Sequence, residues 1–152
     1  MENYESNAYV AEEASRCSDR SLGYRWADQN LGVDKGKDAL RRCLDEYGFF
    51  GVKMNGAQNS YPIDDPKLAL PVIEEIAKRK TTLAFHIGAD AYNNTHPYRL
   101  DRIAALFPDL RIFAVHMGGA SFDDMSDLVI DVARKRPNVY LIGSAVRAQP
   151  IL

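Results

Sequence analysis

Two apolar segments of the chain each carry one histidine close to a glycine. His86 lies in LAFHIG and His116 in FAVHMGG, and Lys53 stands at a similar point of an earlier segment, FGVKMN. Imidazole binds divalent transition metals, and a bound metal ion can generate a water nucleophile near neutral pH. These side chains are therefore the first candidates for chemistry. The alternative is that each histidine is a hydrogen-bonded polar residue that closes a strand.

The segments that carry these residues belong to a pattern that repeats along the chain. Helix-like stretches lie between them, such as DALRRCLDEYG, which should end at Gly48, and DDPKLALPVIEEIAKRK, which Asp65 can cap. Ser121 and Asp124 have capping-box spacing before the last helix, and an acidic helix is expected over roughly residues 6 to 17. Strands that alternate with helices predict a parallel β-sheet of βα units. The five apolar, β-prone runs begin at Leu22, Phe50, Leu83, Ile112 and Val139.

The strands are expected to have two unlike faces. Bulky residues alternate with small or polar ones in FGVKMN, LAFHIG and IFAVHMG. Because strand side chains alternate between faces, Lys53, His86 and His116 should share one face among small residues. An open doubly wound sheet is covered by helices on both sides and should be apolar on both. The pattern therefore favours a partial (β/α)8 TIM barrel, with the polar residues near its mouth.

Composition narrows the class of protein further. The 152 residues are 46% hydrophobic and 26% charged with a net charge of −2, which is typical of one globular domain. Together with the strand pattern, this leads us to interpret residues 1–152 as a single incomplete barrel domain. Scattered basic residues argue against nucleic-acid binding, and no apolar run is long enough for a membrane span. Cys17 and Cys43 are expected to be buried, reduced thiols, which with the polar N-terminus indicates a cytoplasmic protein. WADQNLG is not a phosphate-binding loop, which argues against a flavodoxin-like nucleotide binder.

From about Tyr9 to Ser144 the sequence resembles the amidohydrolase-related branch of the metal-dependent hydrolase superfamily, whose members fold as distorted (β/α)8 barrels. The resemblance corresponds to strands three to seven of the eight. It rests on GFFGVKMN, DDPKLALPVIEEIAKRK, LAFHIG, HPYRLDRIAALFPDLRIFAVHMGG and RPNVYLIGS, in that order.

The resemblance implies a role for each candidate. His86 corresponds to the strand-five metal ligand, with zinc as the expected divalent metal. His116 corresponds to the strand-six histidine that contacts the metal-bound water or the substrate, or that binds a second metal. Some relatives carry a carboxylated lysine ligand where Lys53 stands, but the mononuclear ones lack it, so a buried or substrate-facing ammonium is expected.

Two of the family's metal-binding elements have no counterpart in the sequence. These are the HxH pair of strand one and the aspartate of strand eight. A catalytic zinc site usually has three protein ligands, so the chain is expected to be a fragment or a shortened form with open sheet edges.

Two functions stay open at this point. The first is a metal-dependent hydrolase of the amidohydrolase-related family, in which metal-activated water attacks an amide, ester or lactone of a small molecule, or a related decarboxylation or hydration of a carboxylic acid. His96 and Arg99 are then candidate substrate contacts, although His96 could cap a helix and Arg99 could pair with Asp101 or Asp109. The second is a non-catalytic truncated barrel that binds no metal and self-associates through open strand edges.

Overall fold

Strands and helices alternate along the chain as the sequence predicts. The computed structural model describes residues 4–88, 91–119 and 124–145. None of the described helices is both long enough and apolar enough to cross a bilayer. The strands are β1 (Tyr24–Ala27), β2 (Gly51–Met54), β3 (Thr82–His86), β4 (Arg111–Val115) and β5 (Val139–Ile142). The helices are α1 (Tyr4–Arg16), α2 (Val33–Arg41), α3 (Leu70–Lys78), α4 (Pro97–Leu106) and α5 (Asp124–Lys135), with 3-10 turns at Gln29–Leu31 and His116–Gly118 and a π-helical turn at Arg42–Glu46.

The strand order identifies the architecture. The five strands form one sheet in the order β1-β2-β3-β4-β5, and every neighbouring pair is parallel. A flavodoxin-like sheet would place its second strand outside the first, whereas a (β/α)8 barrel keeps its strands in chain order. The sheet is therefore a partial TIM barrel, which confirms the predicted fold class.

One face of the sheet forms the hydrophobic core. Phe85, Leu83 and Ile112 are fully buried there, and full burial of such a side chain contributes about 1.5–3 kcal/mol. Apolar residues of α2 to α5 cover this face, which is called the outer face below. The helical residues of this core include Leu40, Val72, Ile73, Ile76, Leu100, Ile103, Val129 and Val132.

The helix ends largely follow the predicted signals. Gly48 has a φ of +64° and ends the segment after α2, although the last turn of that segment is π-helical. The Asp65 carboxylate accepts hydrogen bonds from the backbone N–H groups of Lys67 and Leu68, in the turn that leads into α3. The predicted capping residue Ser121 lies outside the described residues.

The two cysteines differ in burial, which corrects one expectation. Cys43 is buried in the π-helical turn that follows α2, and burial raises the pKa of its thiol. Cys17 is exposed because α1 ends at Arg16 and the chain turns into solvent there. Both thiols are free.

The edge of the sheet at β1 is partly covered. The Asn7 side chain accepts a hydrogen bond from the Trp26 backbone N–H at 3.0 Å and donates one to the Trp26 carbonyl at 3.4 Å. Asn7 thus takes the place of a partner strand at this residue. The edge at β5 is more open, since Tyr140 and Ile142 are 46% and 39% exposed.

Candidate active site at the carboxyl edge of the sheet

The inner face of the sheet, which the described helices leave uncovered, presents aromatic and polar side chains. Strand register places one row of side chains level across all five strands. Three of its five members are aromatic and one is a lysine, and all but one are at least partly exposed. The row consists of Trp26, Lys53, Ala84, Phe113 and Tyr140.

Two histidines meet at the carboxyl edge of the sheet, above this row. His86 is the last residue of β3 and His116 follows the last residue of β4. Their ring centroids are 4.6 Å apart and the rings meet edge to face. The predicted meeting of these two residues on adjacent parallel strands is therefore present in the structure.

The route by which His116 reaches this position differs from the expected one. Register pairs His86 with Val115 and Ala84 with Phe113, so the bulky residues of β4 lie on the inner face and Ala114 lies in the core. Strict alternation would point His116 away from His86. The strand ends at Val115 instead, and His116 adopts a φ of +70°, which turns its ring toward His86.

The turn that carries His116 is strained and tightly packed. His116, Met117 and Gly118 all have positive φ, a conformation that costs about 1–3 kcal/mol for a non-glycine residue. Gly88, two residues after His86, has a φ of +73°, and a Cβ atom there would lie 2.0 Å from the Gly118 carbonyl oxygen. The backbones after β3 and β4 are therefore in direct contact two residues beyond each histidine.

A hydrogen bond at the end of β5 fixes the protonation pattern of His116. Its Nδ1 atom lies 2.8 Å from the Ser144 carbonyl oxygen and 3.1 Å from the Ser144 hydroxyl oxygen. A carbonyl oxygen only accepts hydrogen bonds, so Nδ1 must carry the proton. In the neutral ring Nε2 is then the atom with a lone pair, able to accept a proton or bind a metal.

Lys53 lies on the same face as His86, one strand away. It is partly buried, and burial lowers the pKa of its ammonium group. Among the described residues Lys53 makes no ion pair. From a strand spacing of about 4.8 Å and a two-residue rise of about 6.6 Å, its Cα is about 8 Å from that of His86.

The other two predicted substrate contacts, His96 and Arg99, lie at the start of α4. Their described partners lie in or near the loop between β3 and α4. His96 caps α4 by accepting a hydrogen bond from the Tyr98 N–H at Nδ1, and its ring lies against the rings of Tyr92 and Tyr98. The Arg99 guanidinium pairs with Asp64 at 2.6 Å. Arg99 thus has an acidic partner as the alternative predicted, but the expected partners were wrong.

Arg99 pairs with Asp64 instead of the expected residues because the Asp64 carboxylate is buried. This carboxylate is nearly buried in the loop after β2 and is shared by Arg99 and Arg102. Asp101, one of the expected partners, lies on another side of α4 and pairs with Lys135 and Arg136 instead. Helical geometry separates neighbouring residues such as Arg99 and Asp101 onto different sides.

The histidine pair fits part of a metal site. Two adjacent imidazoles, one with its Nε2 lone pair set by Ser144, are suitable donors for a divalent transition metal. Within the described ranges, however, no three His, Cys, Asp or Glu side chains cluster closely enough to hold a metal ion. The described chain therefore supplies two donors, and a complete catalytic site needs at least one more.

Sequence reasoning missed the residues that position the pair. Ser144 follows β5 at the same edge of the sheet as His116, so its place at a strand end was a usable signal. The Gly88–Gly118 contact had a weaker one, because each glycine lies two residues after a histidine but only the fold brings them together. Asp64 had no signal at all.

Comparison with solved structures extends the fold assignment. An uncharacterized TIM-barrel protein from Bordetella bronchiseptica is 21% identical with a TM-score of 0.78, over 91% of this chain and 49% of that one. A 4-oxalomesaconate hydratase from Rhodopseudomonas palustris is 22% identical with a TM-score of 0.68, over 95% and 50%. A dihydroxybenzoic acid decarboxylase from Polaromonas sp. JS666, solved with bound manganese and the inhibitor 2-nitroresorcinol, is 18% identical with a TM-score of 0.66, over 91% and 55%. The chain spans about half the length of these proteins.

Sequence comparison gives the family. No curated protein sequence matches the chain. The sequence model of the amidohydrolase family described as Amidohydro_2 matches residues 1–150, nearly the whole chain. With its parallel βα units in barrel order, the chain belongs to this amidohydrolase family.

Proposed function

We propose that this chain forms the metal-binding half of a barrel enzyme that acts on small organic molecules, with His86 as a metal ligand and His116 as the catalytic acid–base residue. The observation that carries the proposal is the edge-to-face pair of His86 and His116 at the carboxyl edge of adjacent parallel strands. In barrels of this kind the active site lies at that edge.

The roles of the two histidines follow from their surroundings. His86 would hold the metal through a ring nitrogen. When bound, the metal, which we propose to be zinc, supplies a Lewis acid and lowers the pKa of a coordinated water. His116 is held by Ser144 with its Nδ1 proton engaged, so Nε2 is free to accept a proton from water or substrate and return it to the leaving group.

The reaction stays within a small set of alternatives. Amide, ester or lactone hydrolysis and the decarboxylation or hydration of a carboxylic acid all need a polarised oxygen and a nearby acid–base group. The decarboxylase and hydratase among the similar structures favour the carboxylic acid chemistries. We take the inner face of the sheet as the side on which substrate binds, which would place Lys53 near the substrate. Substrate binding by His96 and Arg99 stays a prediction. A cytoplasmic location also stays a prediction.

Metal content of the purified chain tests the proposal. The protein is purified without added metal and dialysed, and zinc and manganese are measured by mass spectrometry. Because the described chain supplies two donors, zinc is then titrated back into the dialysed protein, and we expect about one metal ion per chain, bound more weakly than at a three-ligand site. The His86→Ala variant should lose it, whereas His96→Ala, which removes an imidazole at the helix cap, should keep it. Equal metal content in the two variants would contradict the role of His86.

The non-catalytic alternative makes the opposite prediction. An open α/β unit that self-associates should retain neither zinc nor manganese, and His86→Ala should change nothing. The open edge at β5, with Tyr140 and Ile142 exposed, is the feature that favours this alternative. Sedimentation of the same samples measures self-association, which should then depend on protein concentration.

A further inference from the structure

A histidine begins α4 at the position where a helix usually has a serine, threonine, aspartate or asparagine. His96 is the N-cap residue, and its Nδ1 atom accepts a hydrogen bond from the Tyr98 backbone N–H at 3.2 Å. Pro97 is the first residue of the helix and has no N–H group of its own. The imidazole therefore satisfies the first backbone donor of α4.

This cap works only while the imidazole is neutral. A hydrogen bond accepted at Nδ1 needs a lone pair there, so the single proton of the neutral ring must be on Nε2. The protonated ring has no acceptor atom, and its positive charge would lie at the positive end of the helix dipole. α4 has no acidic residue in its first turn to offset that charge. Protonation of His96 therefore removes the cap and adds a repulsion at the same place.

The charged groups on the loop side of His96 do not compensate for this loss. The Arg99 guanidinium donates a hydrogen bond to the Asn93 carbonyl, in the loop that leads to His96. Its acidic partner Asp64 is already shared with Arg102. Protonated His96 would thus be a second cation within one helical turn of Arg99.

The other neighbours of the imidazole are two tyrosines and a groove beside one of them. The His96 ring centroid lies 5.1 Å from that of Tyr92 and 4.9 Å from that of Tyr98. A tyrosine face attracts a cation, but at an exposed position this gain is smaller than the combined loss of an N-cap and the helix-dipole repulsion. Tyr98 also lines a groove between α4 and α5, whose described charged residues are each in an ion pair. These residues are Asp101, Asp131 and Lys135.

We propose that His96 is a pH-sensitive switch for the loop between β3 and α4. The neutral imidazole holds residues 91–96 against the start of α4, and the protonated imidazole releases them. The change is expected between about pH 8 and pH 5, where histidine side chains commonly change charge. Because β3 ends at His86, the released loop borders the carboxyl edge of the sheet. This inference goes beyond the proposed function and requires neither a metal nor a substrate.

Hydrogen exchange of one backbone amide tests the switch on the dialysed, metal-free chain. The protection factor of the Tyr98 amide, which is its intrinsic exchange rate divided by its observed rate, is measured by NMR from pH 8 to pH 5. We expect it to fall roughly fivefold or more as the cap is lost. The amide of Ile103, in the interior of α4, is the reference and should keep its protection.

Two variants assign the change to the cap. His96→Asn is the matched variant, because asparagine is a good N-cap residue that does not titrate, and its Tyr98 protection should be independent of pH. His96→Ala has no cap and should show the low value throughout the range. Urea denaturation of both variants shows that the fold is intact.

Two results would overturn the inference. The first is a Tyr98 protection factor in the wild-type chain that stays constant from pH 8 to pH 5. The second is a fall in protection that is equally large in His96→Asn. Neither result depends on metal retention by His86, so the switch and the proposed function can fail separately.

Discussion

The two faces of this sheet are built from the same strands but have opposite characters. On the outer face Val52, Leu83 and Phe85 are fully buried against the helices. On the inner face Lys53 and Phe113 are partly exposed. Lys53 directly follows the buried Val52 on β2, and Phe113 lies on β4, which pairs with the strand of Leu83 and Phe85. A single step along β3, from Phe85 to His86, passes from core to candidate active site.

This difference indicates that the residues that stabilise the fold and the residues of the candidate site are separate sets. The apolar area buried on the outer face supplies most of the favourable free energy of folding, because hydrophobic stabilisation is proportional to the apolar area removed from water. The inner face and its edge hold strained and charged groups that the outer face stabilises. Substitutions on the two faces should therefore have different effects, and three experiments measure how far the separation goes.

The largest effect is expected from a matched pair of phenylalanines on neighbouring strands. Phe85→Ala opens a cavity in the core and should lower the free energy of unfolding by about 3–5 kcal/mol. Phe113→Ala removes a partly exposed ring and should cost roughly 1 kcal/mol. Urea denaturation followed by circular dichroism measures both values. Similar losses for the two variants would mean that the faces contribute equally.

A smaller effect should come from the backbone contact that positions the histidines. Gly88→Ala adds a Cβ in a left-handed conformation and against the Gly118 carbonyl, so it should cost about 2–3 kcal/mol, at the upper end of the range for such backbone strain. Gly48→Ala is the control, because Gly48 has a φ of +64° but open space around it. Nuclear Overhauser effects between the His86 and His116 rings should weaken in the first variant only. A stability loss no greater than that of Gly48→Ala would show that the contact does not constrain the turn.

The smallest effect concerns the ion pairs that tie the outer helices together. Arg136 and then Lys135 hold the pKa of Asp101 below its ordinary value. A lowered folded-state pKa gives stability that is present above the unfolded pKa and is lost as pH falls through the folded one. Asp101→Asn should therefore cost at most about 1 kcal/mol at pH 7, and the difference from wild type should shrink below about pH 4.

Urea midpoints measured from pH 7 to pH 3 give this difference. Asp131→Asn, in an exposed pair with Arg134, should change stability less at every pH. A constant difference between wild type and Asp101→Asn across the range would remove Asp101 from the acid response.

Particular residues show what could be predicted from the sequence. The strands and their barrel order follow from local patterns, since Gly48 and Asp65 mark boundaries and the run LAFHIG alternates. The position of His116 could not be derived from alternation, because the strand ends one residue earlier than the apolar run suggests. The partner of Arg99 is 35 residues away along the chain, where only the fold brings Asp64 to it. Local patterns determine the elements, and contacts between distant segments determine the site.

The level row of Trp26, Lys53, Ala84, Phe113 and Tyr140 has a consequence for how this scaffold can diverge. Each βα unit contributes one side chain to the row, and among these side chains the Phe113 and Tyr140 rings are in contact, with centroids 5.6 Å apart. A change at one position can alter ligand preference without disturbing the remaining units. Natural variation and laboratory selection could therefore reshape this face of the sheet one strand at a time, with the two touching rings changing together.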